Sequence, residues 1–260
     1  MRPNRLRAIL SGGKPAFGTM IQEMSSTVLP ILLANAGFDF AFIDMEHGPF
    51  DLGGVTELIR TLRLTGMTPL VRVPDGQYHL IARVLDAGAE GFMVPRVETR
   101  AQVEYILSCA KYPPVGKRGC SIMKGHNDFQ RAELNEFTTF MNRETLVILQ
   151  IERKQAVDDI DELLSVPGVD AIVFGPKDLA LSLGRPENFG DPETLAAMEK
   201  VMRACQAHGI ISGLHTPQIQ TLLEWHQKGV NLLTWSSDIE MLSNACDAGL
   251  KQLRKGMAIV

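Results

Sequence analysis

The chain has no excess of positive charge. Its 260 residues carry 26 Lys and Arg against 30 Asp and Glu, a formal net charge of -4. No dense Lys/Arg run offsets that balance, so little is present to neutralise a phosphate backbone, and a nucleic-acid partner is not expected. No uncharged run is long enough to span a bilayer, and Arg2, Arg5 and Arg7 are followed by no apolar segment of the kind found in export signals. No membrane partner is therefore expected, and the expected location is cytoplasmic. Cysteine is sparse: Cys109, Cys120, Cys205 and Cys246 stand far apart and form no Cys-x-x-Cys pair, which argues against both a disulfide framework and a thiolate zinc site. Gly-x-Gly-x-x-Gly and Gly-x-x-x-x-Gly-Lys-[Ser/Thr] are absent, and Gly12-Gly13 and Gly53-Gly54 lack the strand-turn-helix context of a phosphate loop. No nucleotide cofactor is expected.

What the chain does have is apolar substance. A hydrophobic share of 45% suits a soluble chain with a large core, and the length fits an α/β barrel folding as one domain over residues 1–260. Eight short β-rich runs recur: Phe17 to Ile21, Phe40 to Asp44, Pro69 to Val73, Gly91 to Val94, Leu146 to Glu152, Ala171 to Gly175, Ile211 to Leu214 and Leu232 to Trp235. Several are almost continuously apolar, as strands covered on both faces are. Between them lie amphipathic segments, among them Ser25 to Ala36, Leu80 to Ala87 and Thr221 to Lys228, each followed by a glycine where a helix end takes a left-handed residue. Strand and helix in alternation predict a (β/α)8 TIM barrel. Tyr112 to about Thr145, with Pro113, Pro114, Gly116, Gly119 and Gly125, reads as a long insertion on the βα side, where barrels hold their active sites; Leu183 to Pro192 reads as a second such loop.

Polar residues gather where strands end. Asp44, Glu46 and His47 follow the second run, Arg72 closes the third, Gln150 and Glu152 end the fifth, and Pro176, Lys177 and Asp178 follow the sixth. Asp86 lies at a helix end before the fourth. Glu152 and Asp178 offer hard oxygen ligands to a divalent ion while leaving positions open for substrate; alternatively Glu152 pairs with Arg153 or Lys154 and Asp178 caps a helix. His47 is placed to act as a general base near neutral pH, or is a loop histidine. Asp86 orients His47 if the two meet, or is a helix-end acid. Arg72 interrupts an apolar strand and requires an anion, either substrate or a protein carboxylate. Lys177 raises the rival chemistry of a Schiff base, with no like-charged neighbour evident to activate it. His126 and His215 are pocket residues or structural ones.

These motifs together resemble the class II, metal-dependent pyruvate aldolases of the HpcH/HpaI family. The matching stretches are Ala36-Gly37-Phe38-Asp39-Phe40, Ile43-Asp44-Met45-Glu46-His47-Gly48-Pro49, Leu70-Val71-Arg72-Val73-Pro74, Leu85-Asp86-Ala87-Gly88-Ala89, Met93-Val94-Pro95, Tyr112-Pro113-Pro114-x-Gly116-x-Arg118-Gly119, Gln150-Ile151-Glu152 and Phe174-Gly175-Pro176-x-Asp178-Leu179. They run in the family's order from about Phe17 to Asp238. The resemblance implies that Glu152 and Asp178 hold a divalent ion, Mg²⁺, Mn²⁺ or Co²⁺, and that Arg72 stabilises the enolate and developing oxyanion. It implies His47 as the base supported by Asp86, and Gln150, Pro176 and Lys177 around the substrate. The implied reaction is reversible cleavage of a 4-hydroxy-2-oxo acid to pyruvate, or a close 2-oxo acid such as hydroxypyruvate, and an aldehyde, through a metal-bound enolate. The family also implies a homo-oligomer, commonly a hexamer, with the last helix exchanged between subunits.

Departures from the family pattern fall elsewhere. Thr19 stands where many members have Trp, Lys124-Gly125-His126-Asn127 replaces an Arg-Ala pair, and Thr234-Trp235-Ser236-Ser237-Asp238 replaces a smaller Val-Gly-Ser-Asp-like run. They leave the metal, base and arginine positions intact and bear on the aldehyde end. Two other functions remain open from the residues: decarboxylation of oxaloacetate or a related 2-oxo acid at the same centre, and a non-catalytic barrel that only binds.

Overall fold

A strand buried on both faces has to be apolar at every position, and a parallel neighbour has to be reached by a helical crossover; the chain meets both conditions eight times. The computed structural model describes residues 1–185 and 190–257. It opens with α1 (Arg5–Ser11), then runs β1 (Ala16–Ile21), α2 (Val28–Ala36), β2 (Phe40–Asp44), α3 (Leu52–Thr65), β3 (Thr68–Arg72), α4 (Tyr78–Ala87), β4 (Gly91–Val94) and α5 (Arg100–Ala110). A 3₁₀ turn (Gly125–Asn127) and α6 (Leu134–Glu144) lead into β5 (Leu146–Ile151), followed by α7 (Lys154–Asp158), α8 (Ile160–Leu164) and β6 (Ala171–Phe174). Then come α9 (Pro176–Ser182), α10 (Pro192–His208), β7 (Ile211–Thr216), α11 (Ile219–Gln227), β8 (Leu232–Ser237) and α12 (Asp238–Gly256). The strands pair in parallel in sequence order and β8 closes onto β1, making the (β/α)8 barrel.

Alternation along each strand divides the core in two. Met20, Phe40, Phe42, Leu70, Ile148 and Val173 pack inside the barrel, whereas Ile21, Ile43, Val71, Leu149, Ile172 and Leu233 pack outward against the helices. Gly18 is on the inner set, and a Cβ there would lie 2.3 Å from the Phe40 ring. Its missing side chain is the space that the ring fills, edge-on to Phe42 at 5.6 Å between centroids. Near the other end of β1 the pairing with β8 shifts register between Gly18 and Met20, and Ser236 takes a left-handed φ of 54°.

The helix ends follow the expected glycines, with Gly37 at φ 96° and Gly88 at φ 116°. The long segment after Tyr112 differs from expectation. It follows α5 and precedes β5, so it hangs from the N-terminal face of the barrel, opposite the mouth formed by the C-terminal strand ends. Gly125 is pressed so closely on Ala87, the last residue of α4, that a Cβ would meet the Ala87 carbonyl at 2.2 Å. Inside the segment Arg118 is fully buried, lying 4.7 Å over the Tyr112 ring and 2.6 Å from Asp86 Oδ1. His126 is sealed beside it, 5.1 Å from the Phe137 ring. Of the second expected loop, residues 186–189 lie outside the described residues, as do residues 258–260. The four cysteines are free, and among the described residues no helix is long and apolar enough to cross a membrane. In α12 every described residue from Leu242 onward is exposed, so Leu242, Leu250 and Leu253 present an apolar face that the chain itself does not cover.

Two outcomes follow from this packing. Gly18→Ala should lower unfolding stability by about 1–3 kcal/mol through overpacking, measured by urea denaturation, while Gly249→Ala, at an open helical position, should be neutral or stabilising; equal midpoints for the two would contradict the packing account. Burial, reinforced by Arg118, pushes the His126 imidazole down to about 4. An unfolded histidine protonates near pH ~6.5, so between these values the unfolded chain binds the extra proton and stability must fall as pH drops. The fall should be shallower in His126→Asn; equal slopes from pH 7 to 5 would refute it.

Candidate active site

The inner set of residues continues to the C-terminal ends of the strands, where it turns polar. Asp44 follows Phe42, Arg72 follows Leu70, Gln150 follows Ile148 and His215 follows Gly213, each two residues along its strand and so on the same barrel-facing side.

Asp44 and Arg72 form the centre. Arg72 Nε donates to Asp44 Oδ1 at 2.8 Å and Nη2 to Oδ2 at 2.5 Å, a bidentate fork across neighbouring strands. Burial pushes the Asp44 carboxyl up, yet hydrogen bonds and charge from Arg72 outweigh it and hold it below its ordinary range. Burial likewise pulls Arg72 down and Asp44 more than restores it, so the guanidinium stays charged. The anion that Arg72 needs is therefore a protein carboxylate, and the third nitrogen is what remains for a substrate: Nη1 lies 3.3 Å from Glu46 Oε2 and 3.5 Å from Gln150 Oε1.

The same Asp44 builds the turn beyond β2. Its Oδ1 accepts the Glu46 N–H at 3.0 Å and the His47 N–H at 3.4 Å. His47 is thereby presented at the mouth with its side chain 63% exposed and Nε2 3.8 Å from Glu46 Oε2. Burial raises the Glu46 carboxyl, against the pull of Arg72, His47 and Arg96, and its Oε1 is held by Arg96 Nη1 at 2.5 Å.

Glu152 is 2% exposed. Its Oε1 accepts the Arg96 backbone N–H at 2.8 Å and its Oε2 a hydrogen bond from Gln150 Nε2. Burial raises its carboxyl and the nearby Asp178 charge raises it further. Neither acid forms an ion pair among the described residues. Asp178 sits in the first turn of α9, with Gly175 rather than itself at the N-cap. Gly175 has no alternative here, since a Cβ would meet Glu152 Oε2 at 2.4 Å and Gln150 Nε2 at 3.0 Å. Two acids near enough for the charge of one to act on the other, one buried and neither with a counter-ion among the described residues, suit a hard divalent cation that keeps positions for water and substrate. No group of three or more His, Cys, Asp and Glu capable of holding a metal occurs among the described residues, so the two acids would supply the side-chain ligands. Lys177, one residue before Asp178, is exposed at the rim.

The structure thus brings His47, Arg72, Gln150, Glu152, Pro176, Lys177 and Asp178 to one mouth. Asp86 is not among them. It ends α4, which starts at the mouth after β3 and runs back to the opposite face, and there it bonds Arg118 at 2.6 Å and lies 3.6 Å from His126. The expected support of His47 by Asp86 is therefore not formed within the chain among the described residues. One mouth residue went unread. Arg96 holds a left-handed φ of 55°, so that its N–H reaches Glu152 while its side chain reaches Glu46, and nothing in its sequence setting marks that turn. His215, left between a pocket and a structural role by its sequence, extends the inner alternation Ile211, Gly213, His215 of β7 to the mouth.

The family model for HpcH/HpaI aldolase/citrate lyase matches residues 25–245. A 5-keto-4-deoxy-D-glucarate aldolase from Escherichia coli O139:H28 is 31% identical over 246 residues, covering 94% of each chain. Among solved structures, an HpcH/HpaI aldolase from Desulfitobacterium hafniense DCB-2 superposes with a TM-score of 0.93 at 33% identity, over 97% of both chains. The citrate synthase SbnG superposes at 0.88 with 27% identity, over 97% of this chain and 98% of its own. The chain therefore belongs to the HpcH/HpaI aldolase/citrate lyase family, and its enzyme class is that of the carbon–carbon lyases of aldolase type.

Proposed function

We propose that the chain catalyses the reversible aldol cleavage of a 4-hydroxy-2-oxo acid to an aldehyde and pyruvate, or a close 2-oxo acid such as hydroxypyruvate. The observation that carries this reading is Arg72: clamped through two nitrogens by Asp44, it turns the third toward Gln150 in the layer that also holds Glu152. Glu152 and Asp178 would hold a divalent ion, Mg²⁺, Mn²⁺ or Co²⁺, which when bound supplies Lewis-acid polarisation of the C2 carbonyl. Gln150 and the backbone beside Pro176 line the 2-oxo acid end, and Lys177 stands at the rim.

His47 accepts the C4 hydroxyl proton, the C3–C4 bond breaks, and C4 leaves as the aldehyde carbonyl. The electron pair of that bond becomes the C2=C3 double bond as the carbonyl π pair moves onto the C2 oxygen, where the Arg72 guanidinium meets a charge that was absent in the ground state, and a proton added at C3 then gives pyruvate. Interaction gained only as charge develops is what accelerates a step. Glu46 Oε2 lies 3.8 Å from His47 Nε2. In the condensation direction the same groups act in reverse. Asp86, at the other face, stands outside this set. The uncovered apolar face of α12 supports a homo-oligomer in which that helix packs on a neighbouring subunit.

Metal-stripped protein should release no pyruvate from a 4-hydroxy-2-oxo acid, and Mg²⁺, Mn²⁺ or Co²⁺ should restore release in the wild type but not in Asp178→Ala. Activity of the stripped protein, with a borohydride-trapped lysine adduct, would sink the metal reading; turnover confined to oxaloacetate would reassign the centre to decarboxylation. Arg72→Lys keeps the charge beside Asp44 but loses the fork. It should lower kcat by about 10²–10³-fold, the range for losing one preorganised oxyanion donor, with metal affinity unchanged by calorimetry. A loss below about tenfold would remove Arg72 from its assigned role.

A further inference from the structure

We propose that Asp238, the first residue of α12, is a positioning residue for this reaction: its carboxylate gathers the backbone N–H groups of Gln22, Glu23 and Met24, and through Gln22 holds the turn that carries His47. The proposal rests on the aldolase reading and adds to it a residue that acts only through others.

Asp238 is 3% exposed, and among the described residues no cation pairs with it. Its partners are backbone groups of another loop. Oδ1 accepts the Gln22 N–H at 2.9 Å, and Oδ2 accepts those of Glu23 at 3.1 Å and Met24 at 2.7 Å. Three consecutive donors converging on one carboxylate fix the course of the chain as it leaves β1. Oδ1 also accepts the Ile239 N–H at 2.8 Å, at a helix N-terminus that favours negative charge. Helix capping does not account for the aspartate, because Ser237 is the N-cap of α12 and its Oγ accepts the Glu240 N–H at 3.4 Å. The irregular pairing of β8 with β1 brings the groups together. Ser237 rather than Ser236 stands opposite Met20, so Asp238 comes level with the end of β1 at Ile21.

Gln22 converts that fixed backbone into a contact with the mouth. Its Nε2 donates to Asp44 Oδ2 at 3.3 Å, the oxygen that also takes Arg72 Nη2. Burial raises the Asp44 carboxyl, and the Gln22 amide joins Arg72 in holding it below its ordinary range. The Gln22 carbonyl closes on the turn from its other end, where a Cβ on Gly48 would lie 2.7 Å from that oxygen. Asp44 and Gly48 bracket Met45, Glu46 and His47, so Gln22 braces the turn at both ends. Asp44 Oδ1 accepts the N–H groups of Glu46 and His47, and a carboxylate turned by the loss of Gln22 releases them. The contacts therefore run from Asp238 through the β1–α2 loop to Gln22, and from there to Asp44 and the base.

The test pairs two variants. Asp238→Asn keeps the volume but has one acceptor oxygen where the aspartate has two; Gln22→Ala keeps the anchored backbone and removes the amide. In hydrogen–deuterium exchange, Asp238→Asn should speed exchange in both Gln22–Met24 and Glu46–Gly48, and Gln22→Ala only in the second. Pyruvate release from a 4-hydroxy-2-oxo acid by the metal-loaded enzyme should fall in kcat by about 10-fold to 10²-fold in each, the scale of a misplaced catalytic group. KM and metal affinity should stay within about threefold, and the double variant should lose no more than Asp238→Asn alone, as residues acting in series do. Faster exchange confined to Gln22–Met24 in Asp238→Asn, or kcat losses that multiply in the double variant, would reduce Asp238 to a structural anchor and overturn the assignment. Should Asp238→Asn fail to fold, Gln22→Ala decides alone, since unchanged exchange at Glu46–Gly48 or an unchanged kcat breaks the link to His47. Failure of the metal-loaded wild type to release pyruvate would instead remove the aldolase reading, while the exchange measurement still decides whether Asp238 governs the His47 turn.

Discussion

Asp44 and Arg72 each lose their water at the rim of a barrel that is otherwise apolar, and only the bidentate contact between them makes that burial tolerable. Much of the mouth is arranged around the pair. Because both Asp44 oxygens face the guanidinium, Arg72 cannot rotate away, and its one remaining nitrogen has a fixed direction. Because Asp44 also accepts the backbone N–H groups of Glu46 and His47, the same carboxylate sets the course of the chain beyond β2. A single side chain with no solvent exposure thus orients both the cation and the histidine of the proposed chemistry.

Around this pair the barrel supplies geometry by subtraction as much as by contact. Gly18 makes room for Phe40 deep in the barrel, and Gly175 lets β6 pass over Glu152 near the top. Both are places where a neighbour already fills the volume a Cβ would take, one for packing and the other for a carboxylate. Among the described residues Glu152 and Asp178 have no counter-ion, which leaves the upper layer the electrostatics that the proposed divalent cation would complete.

The barrel itself was legible because its strands are apolar on both faces, and the expected runs fall within two residues of the observed strands at either end. Polar strand ends were legible for the same reason: Arg72 and Glu152 interrupt or terminate runs of Val, Ile and Leu. Where strands continue through polar residues the signal fades. β7 runs on through His215 and Thr216, and β8 through Ser236 and Ser237, none of which looks like strand. The segment after Tyr112 lies at the face opposite to the expected one because it follows a helix, α5, whose pattern is weakly marked, and a loop that follows a helix lies opposite one that follows a strand. Whether Asp86 meets His47 cannot be read from spacing, and within the chain α4 carries Asp86 to the far end of the barrel.

Arg96 ties together parts of the mouth that come from three different strands. One residue, left-handed and placed just past β4, grips Glu152 through its backbone and Glu46 and the Pro74 carbonyl through its side chain. The β2, β3 and β5 sides of the opening are thereby latched to a single peptide. A shift of that loop displaces the base's neighbour and the proposed metal ligand in the same motion, which makes the mouth mechanically one piece rather than a ring of independent loops.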